Sequence, residues 1–285
     1  MKYIRVIPRL DIKGPNLVKG IHLEGLRVLG KPEDFARLYY EQGADELIYQ
    51  DTVASLYQRN NLTEIVSRTA ENIFIPLTVG GGIRTLDDIN SALRAGADKV
   101  SINTAAINNP EFIYQASRAF GSSTIVLAVE SIRQPDHSYL AYTDNGREYT
   151  GVGVLTWVKE AEELGAGEIL LTSIDREGTG NGYDLELIQL VSGAVNIPVI
   201  AHGGASNISH IIDATSDAGA DAVAIASMLH YAAIHRNGNL LDRFDDEGNI
   251  EFLKKNSSFK VFGSENIAEI KSRLAANEIP LRLLN

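Results

Sequence analysis

The sequence predicts a (βα)8 barrel, a closed ring of eight parallel strands each followed by a helix, and three observations carry that prediction. The chain repeats itself. Ile75-Pro76-Leu77-Thr78-Val79-Gly80-Gly81-Gly82 returns as Ile197-Pro198-Val199-Ile200-Ala201-His202-Gly203-Gly204, Gly43-Ala44-Asp45-Glu46-Leu47 as Gly165-Ala166-Gly167-Glu168-Ile169, and Ala95-Gly96-Ala97-Asp98 as Ala218-Gly219-Ala220-Asp221, at offsets of 122, 122 and 123. Short runs of Val, Ile and Leu alternate with amphipathic stretches through both halves, as expected for parallel strands covered on both faces. The length, 285 residues, suits one barrel of about 250 residues. The whole of 1–285 therefore reads as a single domain, with half-barrels of roughly 1–122 and 123–285. An open doubly wound sheet is the alternative, and the matching halves count against it.

The expected strands are Ile4–Leu10, Glu46–Asp51, Pro76–Gly80, Lys99–Ile102, Thr124–Val129, Glu168–Thr172, Pro198–Ala201 and Ala222–Ala226. Helical patterns lie between them, near 32–43, 62–72, 86–95, 110–120, 153–165, 184–195, 207–218 and 264–276. Pro32-Glu33-Asp34 and Asn109-Pro110-Glu111 carry the proline and acidic first turn of a helix start. Two stretches fall outside the repeat. Tyr139–Thr143, Asp144-Asn145-Gly146 and Arg147–Thr150 read as a hairpin with an Asn-Gly turn. Residues from about 235 to 262 are polar, with Gly and Asn, and read as an insertion beside the face where the strands end.

Composition narrows the function. A net charge of −11 argues against nucleic acid, whose phosphate backbone demands a basic surface. Small phosphorylated ligands remain open, because local backbone N–H groups hold them. The chain has no cysteine, which excludes disulfides, thiolate catalysis and cysteine-ligated metals. The six histidines show no metal-site spacing, and no metal or cofactor is implied. No apolar run approaches the ~18 residues of a membrane span. With no signal-peptide pattern at Met1-Lys2-Tyr3-Ile4-Arg5 the cytoplasm is the expected compartment.

Glycines at the end of a parallel strand, running into a helix start, present N–H groups to an anion. That arrangement occurs twice. Gly80-Gly81-Gly82 with Asn103-Thr104 is mirrored by His202-Gly203-Gly204 with Ala226-Ser227. Tight strand–helix packing would explain one such pair, but two related by the repeat point to a substrate with a phosphate at each end. Strand ends also bear carboxylates: Asp11, Asp51, Glu130 and Asp175. Asp11 and Glu130 occupy equivalent places in the two halves, and such a pair divides acid and base roles when the environments separate the two pKa values. For Asp51 and Asp175 a role in chemistry and a role in bonding loop N–H groups are both open. At the opposite strand ends Arg5, Glu46, Lys99 and Glu168 form a charged lower mouth, whose plain reading is a salt-bridged plug.

Leu10-Asp11-Ile12-Lys13 with Val18-Lys19-Gly20, Thr78 through Arg84, Ala97 through Ala106 and Gly167 through Arg176 together resemble the cyclase subunits of imidazole glycerol phosphate synthase, over nearly the whole chain. The resemblance implies a lyase that uses ammonia from a glutaminase partner docked at the lower face. The acceptor would be a bisphosphorylated ribulosyl aminoimidazole nucleotide. It implies catalytic roles for Asp11 and Glu130, and substrate contacts at Lys19, Asp51, Gly81, Gly82, Asn103, Thr104, Thr172, Asp175, Gly203, Gly204 and Ser227. It further implies an ammonia gate of Arg5, Glu46, Lys99 and Glu168, and a partner contact at Asp98. The chain departs from the family pattern at Glu130, where the family has aspartate, at Gly14-Pro15-Asn16, and at Glu177 and His202. These departures resemble a paralogous branch that channels ammonia for amidating a surface-polysaccharide sugar. A third reading is a non-catalytic scaffold that activates its glutaminase.

Overall fold

The computed structural model describes residues 3–54, 62–237 and 262–282; most of the stretch read as an insertion, from 238 to 261, lies outside them. Eight parallel strands form a closed ring: β1 (Arg5–Lys13), β4 (Leu47–Asp51), β5 (Leu77–Gly80), β6 (Lys99–Ile102), β7 (Ile125–Arg133), β10 (Glu168–Ser173), β11 (Val199–His202) and β12 (Ala222–Ile225). Closure is made by β7 with β10, registered from Val126–Glu168 to Ser131–Ser173, and by β12 with β1. The predicted barrel is the observed one, and every expected strand is found within a few residues.

Strand parity divides the interior in two. Val6, Leu10 and Ile12 of β1 belong to the large core between strands and helices. Ile7 belongs to a second cluster, with Ile48, Val126, Leu170, Ile200, Ala222 and Ala224, inside the barrel. Because side chains alternate along a strand, Arg5, Arg9 and Asp11 share the lumen side with Ile7. The lumen is therefore charged at its lower mouth, apolar at mid-height and charged again at the top.

The repeated Ala-Asp motifs have a common structural use. Asp45 Oδ2 accepts from Val6 N at 2.8 Å, Asp98 Oδ2 from Leu77 N at 2.8 Å, and Asp221 Oδ2 from Val199 N at 2.7 Å. Each carboxylate thereby satisfies an N–H at the start of the neighbouring strand. Asp45 is further tied to Lys271 of the last helix, Ile267–Ala276.

Two hairpins fold onto the top face. The expected one is β8 (Tyr139–Thr143) and β9 (Glu148–Gly153), turning at Asp144, Asn145 and Gly146, all with positive φ. The other, β2 (Asn16–Ile21) and β3 (Glu24–Gly30), extends β1 antiparallel, pairing Asp11 with Val18. It was not foreseen. Its turn places His22 (φ 54°) and Leu23 (φ 61°) in the left-handed region, which is unusual for leucine above all. The contacts that hold it are tertiary: His22 N donates to the Glu177 carbonyl at 3.0 Å and Leu23 N to Glu177 Oε2 at 2.9 Å. Helices Thr104–Asn108 and Ser227–Arg236 were likewise not expected.

Candidate active site

Around the ring, β5 and β6 lie opposite β11 and β12, and β1 lies opposite β7. The first glycine cradle opens into a cavity of about 380 Å³ whose walls include Asp51, Gly81, Gly82, Asn103, Thr104 and Glu130. Gly81 has φ +95°, and a Cβ there would run into the Asp51 carbonyl oxygen. Only glycine fits so close an approach. Asp51 is buried and Oδ1 accepts from Val53 N at 2.9 Å; burial raises its pKa against that bond. Asn103 Nδ2 donates to the Tyr142 carbonyl, and its buried Oδ1 has no partner among the described residues.

The second cradle, Gly203 and Gly204 with Ser227, bounds a narrow cleft also lined by Glu177 and His202. Both glycines have φ near +100°, with carbonyl oxygens of Ser173 and Gly182 where a Cβ would be. The residues that begin the two following helices share one backbone conformation: Asn103 has φ −118° and ψ −85°, Ala226 φ −118° and ψ −86°. The internal repeat is thus conformational as well as textual at the two cradles.

Asp11 is fully enclosed. Arg9 Nε lies 3.0 Å from Oδ1 and Lys19 Nζ 3.1 Å from Oδ2. Burial by itself would raise its pKa, but the charges of Arg9 and Lys19 win and hold the carboxyl well below the usual range. Lys19, equally buried, also pairs with Glu177, and that charge and Asp11's keep its pKa raised against burial. Glu130 differs. It accepts from Gly146 N at 3.0 Å, and burial, with Asp144 and Asp11 adding to it, pushes its pKa up to about 7 against the opposing pull of Arg9. The two carboxylates thus have separated pKa values.

His202 Nδ1 lies 3.0 Å from Arg9 NH1. Arginine only donates, so Nδ1 is the acceptor and the ring is neutral. Burial, then Arg9, lowers its pKa well below the ordinary value. Thr172 Oγ1 accepts from the same guanidinium at 3.1 Å, so it sits in the lumen cluster and lines neither cradle. Asp175 is also outside them: exposed, it accepts from Arg133 N at 2.8 Å.

At the lower mouth Arg5, Glu46, Lys99 and Glu168 form a closed alternating ring. Arg5 meets Glu46 at 2.8 Å and Glu168 at 2.5 Å; Lys99 meets the same two at 3.0 and 2.9 Å. The acidic pair raises Lys99's pKa against burial. Asp98 is exposed beside them.

A family model for histidine biosynthesis proteins matches residues 5–235, nearly the whole barrel. The chain belongs to the histidine biosynthesis protein family. Within that family it is 62% identical over 204 residues to the imidazole glycerol phosphate synthase subunit HisF of Legionella pneumophila, covering 72% of this chain and 96% of that protein. It is 42% identical over 281 residues to the subunit of the same name from Lactococcus lactis subsp. cremoris, covering 98% and 96%. The subunit from Hydrogenobaculum sp. is 49% identical over 230 residues, 81% of this chain and 91% of that one.

Sequence reasoning missed Arg9, and gave Glu177 only as a departure from the family pattern. Strand parity was the available signal for Arg9, since it alternates with Arg5 and Asp11 in β1. For Glu177 there was none, because its partners come from a hairpin more than 150 residues away.

Proposed function

We propose that this histidine biosynthesis family member is the cyclase subunit of imidazole glycerol phosphate synthase. It takes ammonia and a bisphosphorylated ribulosyl aminoimidazole carboxamide nucleotide, and releases imidazole glycerol phosphate and aminoimidazole carboxamide ribotide. The observation that carries the reading is the pair of glycine cradles on opposite sides of one barrel mouth, with Asp11 and Glu130 on facing strands between them. Backbone N–H groups at each cradle bind one phosphate and stretch the substrate across the mouth. Glu130, with a pKa near 7, gives or takes a proton at neutral pH. Asp11 stays ionised and stabilises positive charge, and Lys19, on hairpin β2–β3, closes over the site.

Ammonia comes from a glutaminase subunit. In this reading it docks at the lower face around Asp98, and the ring of Arg5, Glu46, Lys99 and Glu168 is the gate through which ammonia enters the lumen. The test uses the purified chain with excess ammonium at mildly alkaline pH and the nucleotide, following its ultraviolet absorbance. Turnover abolished by Asp11→Asn is the expected result. Folded, phosphate-binding protein without turnover would move the assignment to the sugar-amidating branch, and turnover indifferent to both Asp11→Asn and Glu130→Gln would remove these carboxylates from the chemistry.

A further inference from the structure

Arg9 is 2% exposed and has no part in the binding or gating just proposed, yet it is held at several points inside the barrel. Its guanidinium reaches across the lumen from β1 to β10 and β11, with Nε on Asp11 and NH1 on both Thr172 and His202. Its main chain is held as well. His230 of helix Ser227–Arg236 donates from Nε2 to the Arg9 carbonyl at 3.0 Å, while its Nδ1 lies 2.6 Å from the Tyr39 hydroxyl. A long flexible side chain fixed at three strands has already lost its rotamer freedom on folding. Nothing in packing alone requires an arginine there, since the layer below is aliphatic and a buried ion pair is rarely retained for stability.

We infer that Arg9 is a positioning residue for the proton chemistry of the facing carboxylates: its Nε pins Asp11 as a fixed anion, and its charge keeps the buried Glu130 able to give up its proton. The charge balance of the cluster supports this. Arg9 and Lys19 are matched by Asp11 and Glu177, so a second buried anion at Glu130 would have no partner cation of its own. Glu130 faces Arg9 and Asp11 from β1, and Asp144 with the Gly146 N–H from the β8–β9 turn. Asp11 faces Arg9, Lys19 and His202, with Glu177 behind Lys19. His202 faces Arg9, Asp11, Lys19 and His230. Across this set Arg9 is the one group that acts directly on Asp11, Glu130 and His202 together. The inference rests on the proposed function only in taking Asp11 and Glu130 as the groups that meet substrate.

The experiment titrates the intact chain labelled with 13C at glutamate carboxyls, the Glu130 signal being assigned by its loss in E130Q. Removing the cation in R9M should raise the Glu130 midpoint by about half a pH unit or more, because a nearby positive charge favours the carboxylate. R9K, which keeps the charge, should restore most of the shift. An unchanged midpoint in folded R9M overturns the inference. Should R9M fail to fold, 15N spectra of wild-type histidines decide: His202 must be unprotonated at Nδ1 at pH 7, and a protonated Nδ1 there overturns the clamp. With ammonium as nitrogen donor, the limb of the kcat/KM profile set by Glu130 should move by the same amount in R9M. Absent turnover by wild type would count against the proposed function alone, leaving both spectroscopic arms to decide the role of Arg9.

Discussion

Lys19 Nζ lies 3.1 Å from Asp11 Oδ2, across the seam where β2 folds back along β1, and its other partner is Glu177 in the loop after β10. One ammonium group therefore links the enclosed carboxylate of the barrel to the loop beside the second cradle. Glu177 in turn holds the strained turn at Leu23 through Oε2. The hairpin thereby covers Asp11.

Glu177→Gln should loosen that closure. The amide cannot match the charge of Lys19, and charge-assisted bonds are roughly twice as strong as neutral ones. Amide exchange through residues 16–30 is expected to quicken by about tenfold, with little change in the barrel strands. Equal exchange in variant and wild type would show that the hairpin is held by its apolar contacts instead.

Gly81→Ala should damage phosphate binding rather than the proton steps. Its Cβ would meet the Asp51 carbonyl from a left-handed backbone, so the cradle must shift before it can accept an anion. The expected outcome in steady-state kinetics is a KM raised by about tenfold or more, with kcat reduced less. A KM unchanged within error would mean that the first cradle does not hold the substrate.

The pH dependence of stability should carry opposite contributions from the two carboxylates. Glu130 has a folded pKa of about 7 against an ordinary value of 4.5, so the folded state binds the extra proton between those values. Its contribution is fully present below about pH 4.5 and is lost as pH rises towards 7, on the order of 2 to 4 kcal/mol. Asp11 is depressed, so its contribution is present above its unfolded value and lost as pH falls below about 3.8. Urea melts of Glu130→Gln should lack the decline between pH 4.5 and 7 that wild type shows. The same slope in both proteins would assign that decline to another group.

Lys99→Ala opens the lower ring by leaving Glu46 and Glu168 with Arg5 alone. In the complex with a glutaminase, glutamine-driven turnover should fall relative to turnover on free ammonium, while the latter keeps at least about half its rate. Unchanged coupling between glutamine hydrolysis and product would remove this ring from the ammonia path.

Much of the molecule was legible before folding because its signals are local or repetitive. The strands read as apolar runs, and the β8–β9 turn was marked by Asn145-Gly146. The cradles followed from glycines repeated at one offset, and both prove to need the left-handed backbone that glycine supplies. The β2–β3 hairpin was not legible, since His22-Leu23 is no turn signal and the conformation depends on contacts with Ile174 and Glu177. Asp175 and Thr172 lie at strand ends as read, and what the sequence did not show is that their partners there are Arg133 N and the Arg9 guanidinium.

The sequence by itself determined the eightfold alternation, the twofold repeat and the two glycine pairs at the strand ends, because each rests on residue type at fixed spacing along the chain. Only the tertiary structure decided how charge is shared in the lumen. Closing the ring sets Arg9, Asp11, Thr172 and His202 within one cluster, and folding the hairpin adds Lys19 and Glu177. The protonation state of a buried carboxyl follows from its desolvation and from the charges beside it; closing the ring brings Arg9 and Asp11 towards Glu130, and folding the hairpin brings Lys19 onto Asp11. Two acids that look interchangeable in sequence thus lie in different surroundings, Asp11 between Arg9 and Lys19 and Glu130 against the Gly146 N–H.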